Sequence, residues 1–196
     1  MIDKNNNISK ILVPIDGSHP SMDALDYAIG IAKRNKSQIT ILTIIDFYKY
    51  PYLLSSTVLA PTFGMEKYME EKKEVEKLMD DLKEKYKQNI DSQDIGDIKT
   101  EIIEGTKSVA ATIVEYAESE HIDLIVIGSR GKTGFKKMLI GSVSMDIVKY
   151  AHCSVLVKRW YNYYNNISLL LMEKQQSIRS YQILDILQKM DAVSIL

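Results

Sequence analysis

The chain of 196 residues is long enough for one well-buried domain with a remainder, and its hydrophobic and charged fractions, 45% and 26%, are ordinary for a soluble globular protein. A formal net charge of -1 provides no basic surface field, so nucleic acid is not an expected partner. The single cysteine, Cys153, excludes an internal disulfide framework and a cysteine-rich zinc site. The polar N-terminus has no signal-peptide core and no run of about 18 apolar residues occurs, so we expect a soluble cytoplasmic protein without a membrane span.

Strands and helices alternate along residues 8–159. Near-continuous apolar runs predict central strands that are covered on both faces, and apolar residues at three- and four-residue steps predict helices. The predicted strands are Lys10–Asp16, Gln38–Asp46, Ile98–Gly105, Asp123–Gly128 and Cys153–Arg159, and the predicted helices are Pro20–Asn35, Met65–Asn89, Lys107–Glu120 and one that begins at Ser142. The segment Phe47–Gly64 has no steady period and is predicted to be a surface loop, which at this length is often functional.

This alternation predicts an α/β fold with an open, doubly wound sheet of five parallel strands. We interpret the elements as one domain that ends near Arg159. Residues 160–196 then form a C-terminal extension, which opens with an aromatic and asparagine-rich linker. Apolar residues from Ile178 to Met190 recur at helical spacing, so the extension is predicted to be partly helical. Two alternatives stay open for that helix: it packs on its own domain, or it joins subunits or covers a site.

The stretch GSRGKTGFKKMLIGSVS, residues 128–144, follows a buried strand and combines glycine, serine and basic residues, as phosphate-binding turns do. A Walker A loop needs a glycine five residues before its second glycine, and that position is Val126, inside the strand. A Rossmann dinucleotide turn needs closer glycines beside the first strand, so this interpretation is also weak.

A longer pattern fits better: Gly128, two residues, Gly131, nine residues, and then Gly141 with Ser142. Glycines at 128 and 131 would let the backbone approach a ligand, because no Cβ stands in the way. Ser142 and Ser144 would lie at a helix start, where N–H groups and the helix dipole favour anions. The pattern therefore predicts a two-part phosphate-binding site.

This pattern resembles G-2x-G-9x-G-[ST], the nucleotide-binding signature of the ATP-binding branch of the universal stress protein family. Three further blocks resemble the family in the same order, namely ILVPIDGS at residues 11–18, IID at 44–46 and AHCSVLVKR at 151–159. The resemblance covers residues 8–159 and leaves out the extension. It implies an adenine nucleotide alpha hydrolase-like fold with flavodoxin-like layering and strand order 3-2-1-4-5. In that order the ligand crevice lies between the first and fourth strands.

The resemblance implies ATP, or ADP or AMP, as the ligand, with Mg or Mn held mainly by the phosphates. Asp16 would be the acidic residue near the nucleoside, and Ile44 would offer its backbone to the adenine. The nucleotide-binding residues implied in full are Pro14, Asp16, Gly17, Ser18, Ile44, Gly128, Ser129, Arg130, Gly131, Gly141, Ser142, Val143 and Ser144. Plainer interpretations stay open for two of them, with Asp16 as a helix N-terminal acid and Ser142 as a helix cap.

Three functional hypotheses follow. The chain is a nucleotide-dependent regulatory or stress-response module, a weak ATPase in which Asp16 or Asp46 assists a metal-bound water, or an interaction protein that works through its C-terminal tail. We predict no catalytic residue and no protein metal cage, since no spacing of His, Asp and Glu suggests one. Cys153 is expected to be a small buried hydrophobe.

The family resemblance also implies an assembly. It implies a homodimer through the last strand, Ser154–Lys158, because the edge of that strand would otherwise stay open. The C-terminal tail leaves this strand directly and could add a higher oligomer.

Overall fold

A computed structural model of the chain describes residues 8–50, 61–89, 95–105, 107–131, 140–158 and 170–172. The helices in these ranges include none that is long and apolar enough to cross a membrane. The strands are β1 Lys10–Pro14, β2 Gln38–Asp46, β3 Asp97–Gly105, β4 Leu124–Gly128, β5 Ser154–Lys158 and β6 Leu170–Met172; the helices are α1 His19–Asn35, α2 Pro61–Asn89, α3 Val109–Ser119 and α4 Ser142–Tyr150, with a 3-10 turn at Phe47–Lys49.

The strands form one sheet in the order β3-β2-β1-β4-β5-β6. The first five strands are parallel to one another, so the predicted five-stranded order 3-2-1-4-5 is confirmed. β6 was not predicted, and it runs antiparallel to β5. It lies between the aromatic and asparagine-rich linker and the predicted helix, in a segment to which no element was assigned, because a three-residue strand is too short to show a period. The helix predicted around Ile178–Met190 lies outside the described residues.

Both faces of the sheet are apolar and covered by helices. Ile11 and Val13 of β1 belong to the core cluster that contains α1 and α2, whereas Leu12 between them belongs to the cluster of α3 and α4. Successive side chains of a strand point to opposite faces, so the continuous apolar run in β1 fills two cores at once. This explains why the strands read as unbroken hydrophobic runs.

α2 begins earlier than the sequence analysis placed it. The structure starts this helix at Pro61, within the predicted loop Phe47–Gly64. Proline is well accommodated in the first turn of a helix, because its missing N–H would have no intrahelical partner there. The part of the predicted loop from residue 51 to residue 60 lies outside the described residues.

Candidate functional site

A crevice opens where the order of the strands reverses, between β1 and β4. The pairing of these two strands covers only Ile11 with Leu124 and Leu12 with Ile125, although β1 runs on to Pro14 and β4 to Gly128. Ile15 donates its N–H to Leu42 of β2, so the backbone groups of its neighbour Pro14 face β4. Pro14 has no N–H to donate to β4. This suits its position, because the hydrogen bonding between β1 and β4 has already ended at Leu12.

The turn after β1 is built around the carboxylate of Asp16. Asp16 Oδ1 accepts hydrogen bonds from the Ser18 N–H at 3.0 Å and from the Ser18 hydroxyl at 2.5 Å. Gly17 between them has a φ of 76°, a conformation that glycine adopts at little cost. Ser18 is the residue that precedes α1. Its hydroxyl donates to Asp16 and does not accept a hydrogen bond from the first turn of the helix. The turn therefore fixes the direction of the Asp16 side chain.

The loop after β4 lies against that carboxylate. A Cβ added to Gly131 would come within 2.7 Å of Asp16 Oδ2 and 3.7 Å of Asp16 Cγ. Real Cβ atoms essentially never approach an oxygen that closely, so only glycine fits beside the carboxylate without a shift. The structure thus brings together two residues that are far apart in sequence and that the sequence analysis placed in one crevice.

Gly128 has a different surrounding from the one expected. A Cβ there would lie 2.6 Å from the carbonyl oxygen of Pro20 and 3.0 Å from the backbone nitrogen of Ser21. The space that the missing Cβ leaves is therefore filled by the first turn of α1. We expected a glycine at position 128 to let a ligand approach the backbone. The structure corrects this expectation, because the missing Cβ lets α1 pack closely on β4.

The two ends of the insert between Gly131 and Gly141 are tied together by backbone hydrogen bonds. Gly141 donates its N–H to the carbonyl of Ser129 at 2.7 Å, and Ser129 donates its own N–H to Lys158 at 2.8 Å. Ser129 is buried, and Arg130 beside it is half-buried. Both backbone groups of Ser129 thus hold the loop in place. Residues 132–139, with the three lysines of the insert, lie outside the described residues.

α4 begins at this junction and points its N-terminus toward the crevice edge. Gly141 is the cap residue and Ser142 the first helical residue. The N–H groups of Ser142, Val143 and Ser144 are in the first turn, where an α-helix provides no intrahelical acceptor. These groups and the helix dipole form a positive end that suits an anion.

The hydroxyl of Ser144 does not face a ligand. It is buried and donates a hydrogen bond to the carbonyl oxygen of Gly128 at 2.8 Å. The Ser144 side chain is therefore engaged within the fold, and its expected role at the helix start falls to its backbone N–H. Ser142, by contrast, is exposed, and Val143 is half-buried against the α3–α4 core.

Ile44 lies on β2 beyond the end of β1. The ladder between β1 and β2 ends at Pro14 with Leu42, and Leu42 still accepts one further bond from Ile15. Backbone groups of residues two apart in a strand point to the same side, so the N–H and C=O of Ile44 also point toward the β1 side. They therefore face the region just past the end of β1, which is where the Asp16 turn lies.

A cluster of tyrosines and carboxylates stands after β2, and the sequence analysis missed it. The Tyr50 hydroxyl donates to Glu71, and the Tyr68 hydroxyl donates to Glu104 at 2.5 Å. Lys72 also donates to Glu104, at 2.8 Å. Glu71 and Lys72 fall within the predicted helix Met65–Asn89, where charged residues are usually solvated. Tyr68, Glu71 and Lys72 stand at three- and four-residue spacing, which was the available signal that they share one face of α2.

The cluster anchors the chain as it leaves β2. Tyr50 and Tyr68 are buried, and their rings meet edge to face with centroids 5.7 Å apart. Burial, and then the bond to Glu104, raises the pKa of Tyr68. The hydrogen bonds from Lys72 and Tyr68 lower the pKa of Glu104. Glu104 is thus held as a carboxylate and Tyr68 as a neutral donor.

Two further side chains that could carry chemistry, His19 and Cys153, have contacts of their own. His19 is exposed and pairs with Asp23 at 3.3 Å on α1. Cys153 is partly buried beside the α3–α4 core, and burial raises the pKa of its thiol to about 11. In the described ranges, no three or more His, Cys, Asp or Glu side chains gather into a group that could hold a metal ion.

These features define a doubly wound α/β protein whose crevice, at the reversal of strand order, is bordered by the Asp16 turn, Gly131 and the N-terminus of α4. The chain belongs to the universal stress protein family, whose sequence model matches residues 7–159. It is 36% identical over 154 residues to the universal stress protein MJ0531 of Methanocaldococcus jannaschii, an alignment that covers 78% of this chain and 82% of that protein.

Two further relatives agree with that assignment. The universal stress protein YxiE of Bacillus subtilis is 31% identical over 156 residues, covering 77% of this chain and 99% of its own length. The solved structure of the universal stress protein UspA from Lactobacillus plantarum is 27% identical, with a TM-score of 0.65 over 77% of this chain and 97% of that one. The family match ends at residue 159, so residues 160–196 lie outside it.

Proposed function

We propose that this universal stress protein belongs to the ATP-binding branch of its family and acts as a nucleotide-dependent regulatory or stress-response module. The observation that carries the proposal is the contact between Gly131 and the Asp16 carboxylate, next to the junction from which α4 begins. A nucleotide joins a base and a sugar with hydroxyl groups to an anionic phosphate chain. This crevice is bordered by a carboxylate that can accept from the sugar and by a helix N-terminus that can bind the phosphates.

The phosphates would bind at the first turn of α4. The N–H groups of Ser142, Val143 and Ser144 can donate to phosphate oxygens, and the helix dipole adds a favourable field. Arg130, half-buried on the adjoining loop, would contribute the opposite charge. Mg²⁺ or Mn²⁺ would be carried mainly by the phosphate oxygens of the nucleotide.

The nucleoside would lie over the end of β1. Asp16 Oδ1 accepts from Ser18, and Oδ2 lies on the Gly131 side of the carboxylate, where a ribose hydroxyl would donate to it. The backbone N–H and C=O of Ile44 face the same region and can recognise the edge of an adenine ring. Binding at both ends would favour ADP and ATP over free phosphate.

The arrangement suits holding a nucleotide better than cleaving one. Phosphoryl transfer needs a positioned nucleophile or a base beside the terminal phosphate. The Asp16 carboxylate is held by Ser18, and in the proposed arrangement it would accept from the ribose and would not act as that base. A bound nucleotide would then stabilise the folded domain by mass action, and any hydrolysis would be slow.

Nucleotide extraction from the purified protein, followed by calorimetric titration with ATP and Mg²⁺, tests the proposal. We expect ADP or ATP in the extract, or saturable binding after its removal. Asp16→Ala should weaken binding by about tenfold, the effect of losing one hydrogen bond to a charged group. Asp23→Ala is the matched control, because it also removes one carboxylate from the start of α1, and that carboxylate is half-buried and pairs with His19.

Two results would change the conclusion. An empty protein that shows no binding of ATP, ADP or AMP with Mg²⁺ or Mn²⁺ contradicts the proposed function. Steady phosphate release that Asp16→Ala abolishes, while binding is kept, favours the ATPase hypothesis instead. The hypothesis that the tail is the working part gains support if deletion of residues 160–196 removes a binding partner while ATP stays bound.

A further inference from the structure

The outer edge of β5 is covered by a short strand from beyond the family domain. β6, residues 170–172, pairs with Val155, Leu156 and Val157 of β5. It is the last strand of the described sheet and pairs with its neighbour in the antiparallel sense. The edge that the sequence analysis expected to be open for a second copy is therefore occupied by the chain's own backbone.

The side to which each β5 backbone group points follows from the other neighbour. Ser129, directly after β4, donates its N–H to the carbonyl of Lys158, so the backbone of Lys158 faces β4. Backbone groups alternate in direction along a strand, so Val155 and Val157 face the opposite side. Those two residues therefore offer their N–H and C=O groups to β6.

The register then separates bonded pairs from unbonded ones. Val155 is opposite Met172, and Val157 is opposite Leu170, so these are the two hydrogen-bonded pairs. Leu156 is opposite Leu171, which makes that pair the non-hydrogen-bonded one between them. Leu170 and Met172 thus direct their N–H groups at β5, and Leu171 directs its N–H away.

A second copy of the chain would use the same groups in the same direction. An exposed strand edge is a template for another strand, and a two-fold axis through an edge places the strand and its copy antiparallel. β5 of a second copy would bond to Val155 and Val157 just as β6 does. The two arrangements exclude each other, because each N–H and C=O of this edge pairs with one strand.

We propose that β6 is an intramolecular substitute for a partner strand, which closes the edge of β5 and holds the chain as a monomer. Within the part of the chain that the structure describes, β6 is joined to β5 through two hydrogen-bonded pairs, so its release is within reach of a modest change in the C-terminal extension. Once β6 leaves, two copies pair through β5. The proposal does not rest on nucleotide binding, and its test needs no nucleotide.

Single proline substitutions in the full-length chain distinguish the β6 residues that donate an N–H to β5 from the one whose N–H points away. Leu170→Pro and Met172→Pro each remove an N–H that bonds to β5. Leu171→Pro is the matched control, because proline fits an extended strand where its nitrogen faces outward. Sedimentation velocity over a range of concentrations measures the dimer dissociation constant, and hydrogen exchange of the Val155 and Val157 amides reports whether the edge is covered.

We expect a monomer for the unchanged chain and for Leu171→Pro, with both amides protected. Leu170→Pro and Met172→Pro should dimerise with a dissociation constant at least about tenfold lower, the equivalent of one net hydrogen bond. Their two amides should exchange quickly at low concentration and slowly in the dimer. Circular dichroism of all four proteins checks that the sheet is intact.

Three results overturn the proposal. The first is an unchanged chain that dimerises as tightly as the Leu170→Pro variant. The second is a Leu170→Pro or Met172→Pro variant that exposes its β5 amides and stays monomeric at every concentration. The third is a dimer of the unchanged chain that Leu170→Pro dissociates, which would show β6 exchanged between copies.

Discussion

Asp16 and Gly131, the ends of two loops that belong to different halves of the sheet, are in contact: a Cβ on Gly131 would lie 2.7 Å from the Asp16 Oδ2 atom. The carboxylate is held from its other side by Ser18 at 3.0 Å and 2.5 Å. It therefore cannot move away from Gly131 without breaking two hydrogen bonds. The shape of the crevice thus depends on a glycine at this position.

Gly131→Ala should weaken nucleotide binding while it leaves the fold intact. The added methyl group displaces the Asp16 carboxylate or the exposed loop after β4, so that groups that would contact the nucleotide lie out of position. We expect affinity to fall roughly tenfold to a hundredfold, the equivalent of about 1–3 kcal/mol in binding free energy. Calorimetric titration with ATP and Mg²⁺ measures the affinity. Gly131 is exposed, so the free energy of unfolding without nucleotide should change by less than about 0.5 kcal/mol. Unchanged affinity would show that Gly131 does not border the bound nucleotide.

Gly128→Ala should destabilise the protein, because its methyl group meets the backbone of α1. The nearest atoms, at 2.6 Å and 2.7 Å, belong to the Pro20 carbonyl, which cannot rotate away as a flexible side chain can. We expect a loss of about 1–3 kcal/mol in the free energy of unfolding, measured by urea denaturation. Gly141→Ala is the matched control, since its methyl group would have its nearest neighbours at 3.5 Å and 3.7 Å. Equal stability of the two variants would contradict the close packing of α1 on β4.

Ser144→Ala should lower stability, because the Ser144 hydroxyl joins α4 to the end of β4. Loss of its buried bond to Gly128 should cost about 1–2 kcal/mol in the free energy of unfolding. Ser142→Ala, two residues earlier and exposed, should stay within about 0.5 kcal/mol of the unchanged protein. If the Ser144 hydroxyl instead served a phosphate, the variant would keep its stability without nucleotide and lose affinity.

Glu104 should make the protein sensitive to acid. Hydrogen bonds from Lys72 and Tyr68 lower the pKa of Glu104 in the folded state, so its stabilising effect is complete above the unfolded-state pKa of about 4.3 and is lost as the pH falls through the lower, folded-state pKa. Glu104→Gln should therefore be less stable than the unchanged protein at pH 7, and the gap should close between about pH 5 and pH 3. Since Glu104 is 41% exposed, the gap at pH 7 should be at most about 1 kcal/mol.

Urea denaturation at several pH values measures that gap. Glu84→Gln, an exposed substitution on α2, is the control for a general change in net charge. A gap that persists unchanged at pH 3 would mean that the Glu104 carboxylate does not need its charge in the folded state, which contradicts its bonds to Lys72 and Tyr68.

Much of the architecture was predictable because it rests on local patterns. The apolar run from Ile11 to Val13 fits only a strand that is buried on both faces, and it predicted the parallel sheet. The spacing between Gly128 and Gly131 separated this loop from a Walker A loop by simple counting. Side chains whose partners lie far along the chain gave weaker signals. Tyr50 was placed in a predicted loop and Glu71 in a predicted helix, and neither assignment indicated the hydrogen bond between them.

The sequence by itself determined the order of the strands and helices along the chain, because periodicity acts over a few residues. The resemblance to the family then implied the sheet order and a crevice between the first and fourth strands. Only the tertiary structure decided what each glycine is for: Gly131 makes room for the Asp16 carboxylate, and Gly128 makes room for α1. It also decided that β6 lies on the edge of β5. Such close approaches join residues that are distant in the chain, and the sequence does not record which atoms will fill the space that a missing Cβ leaves.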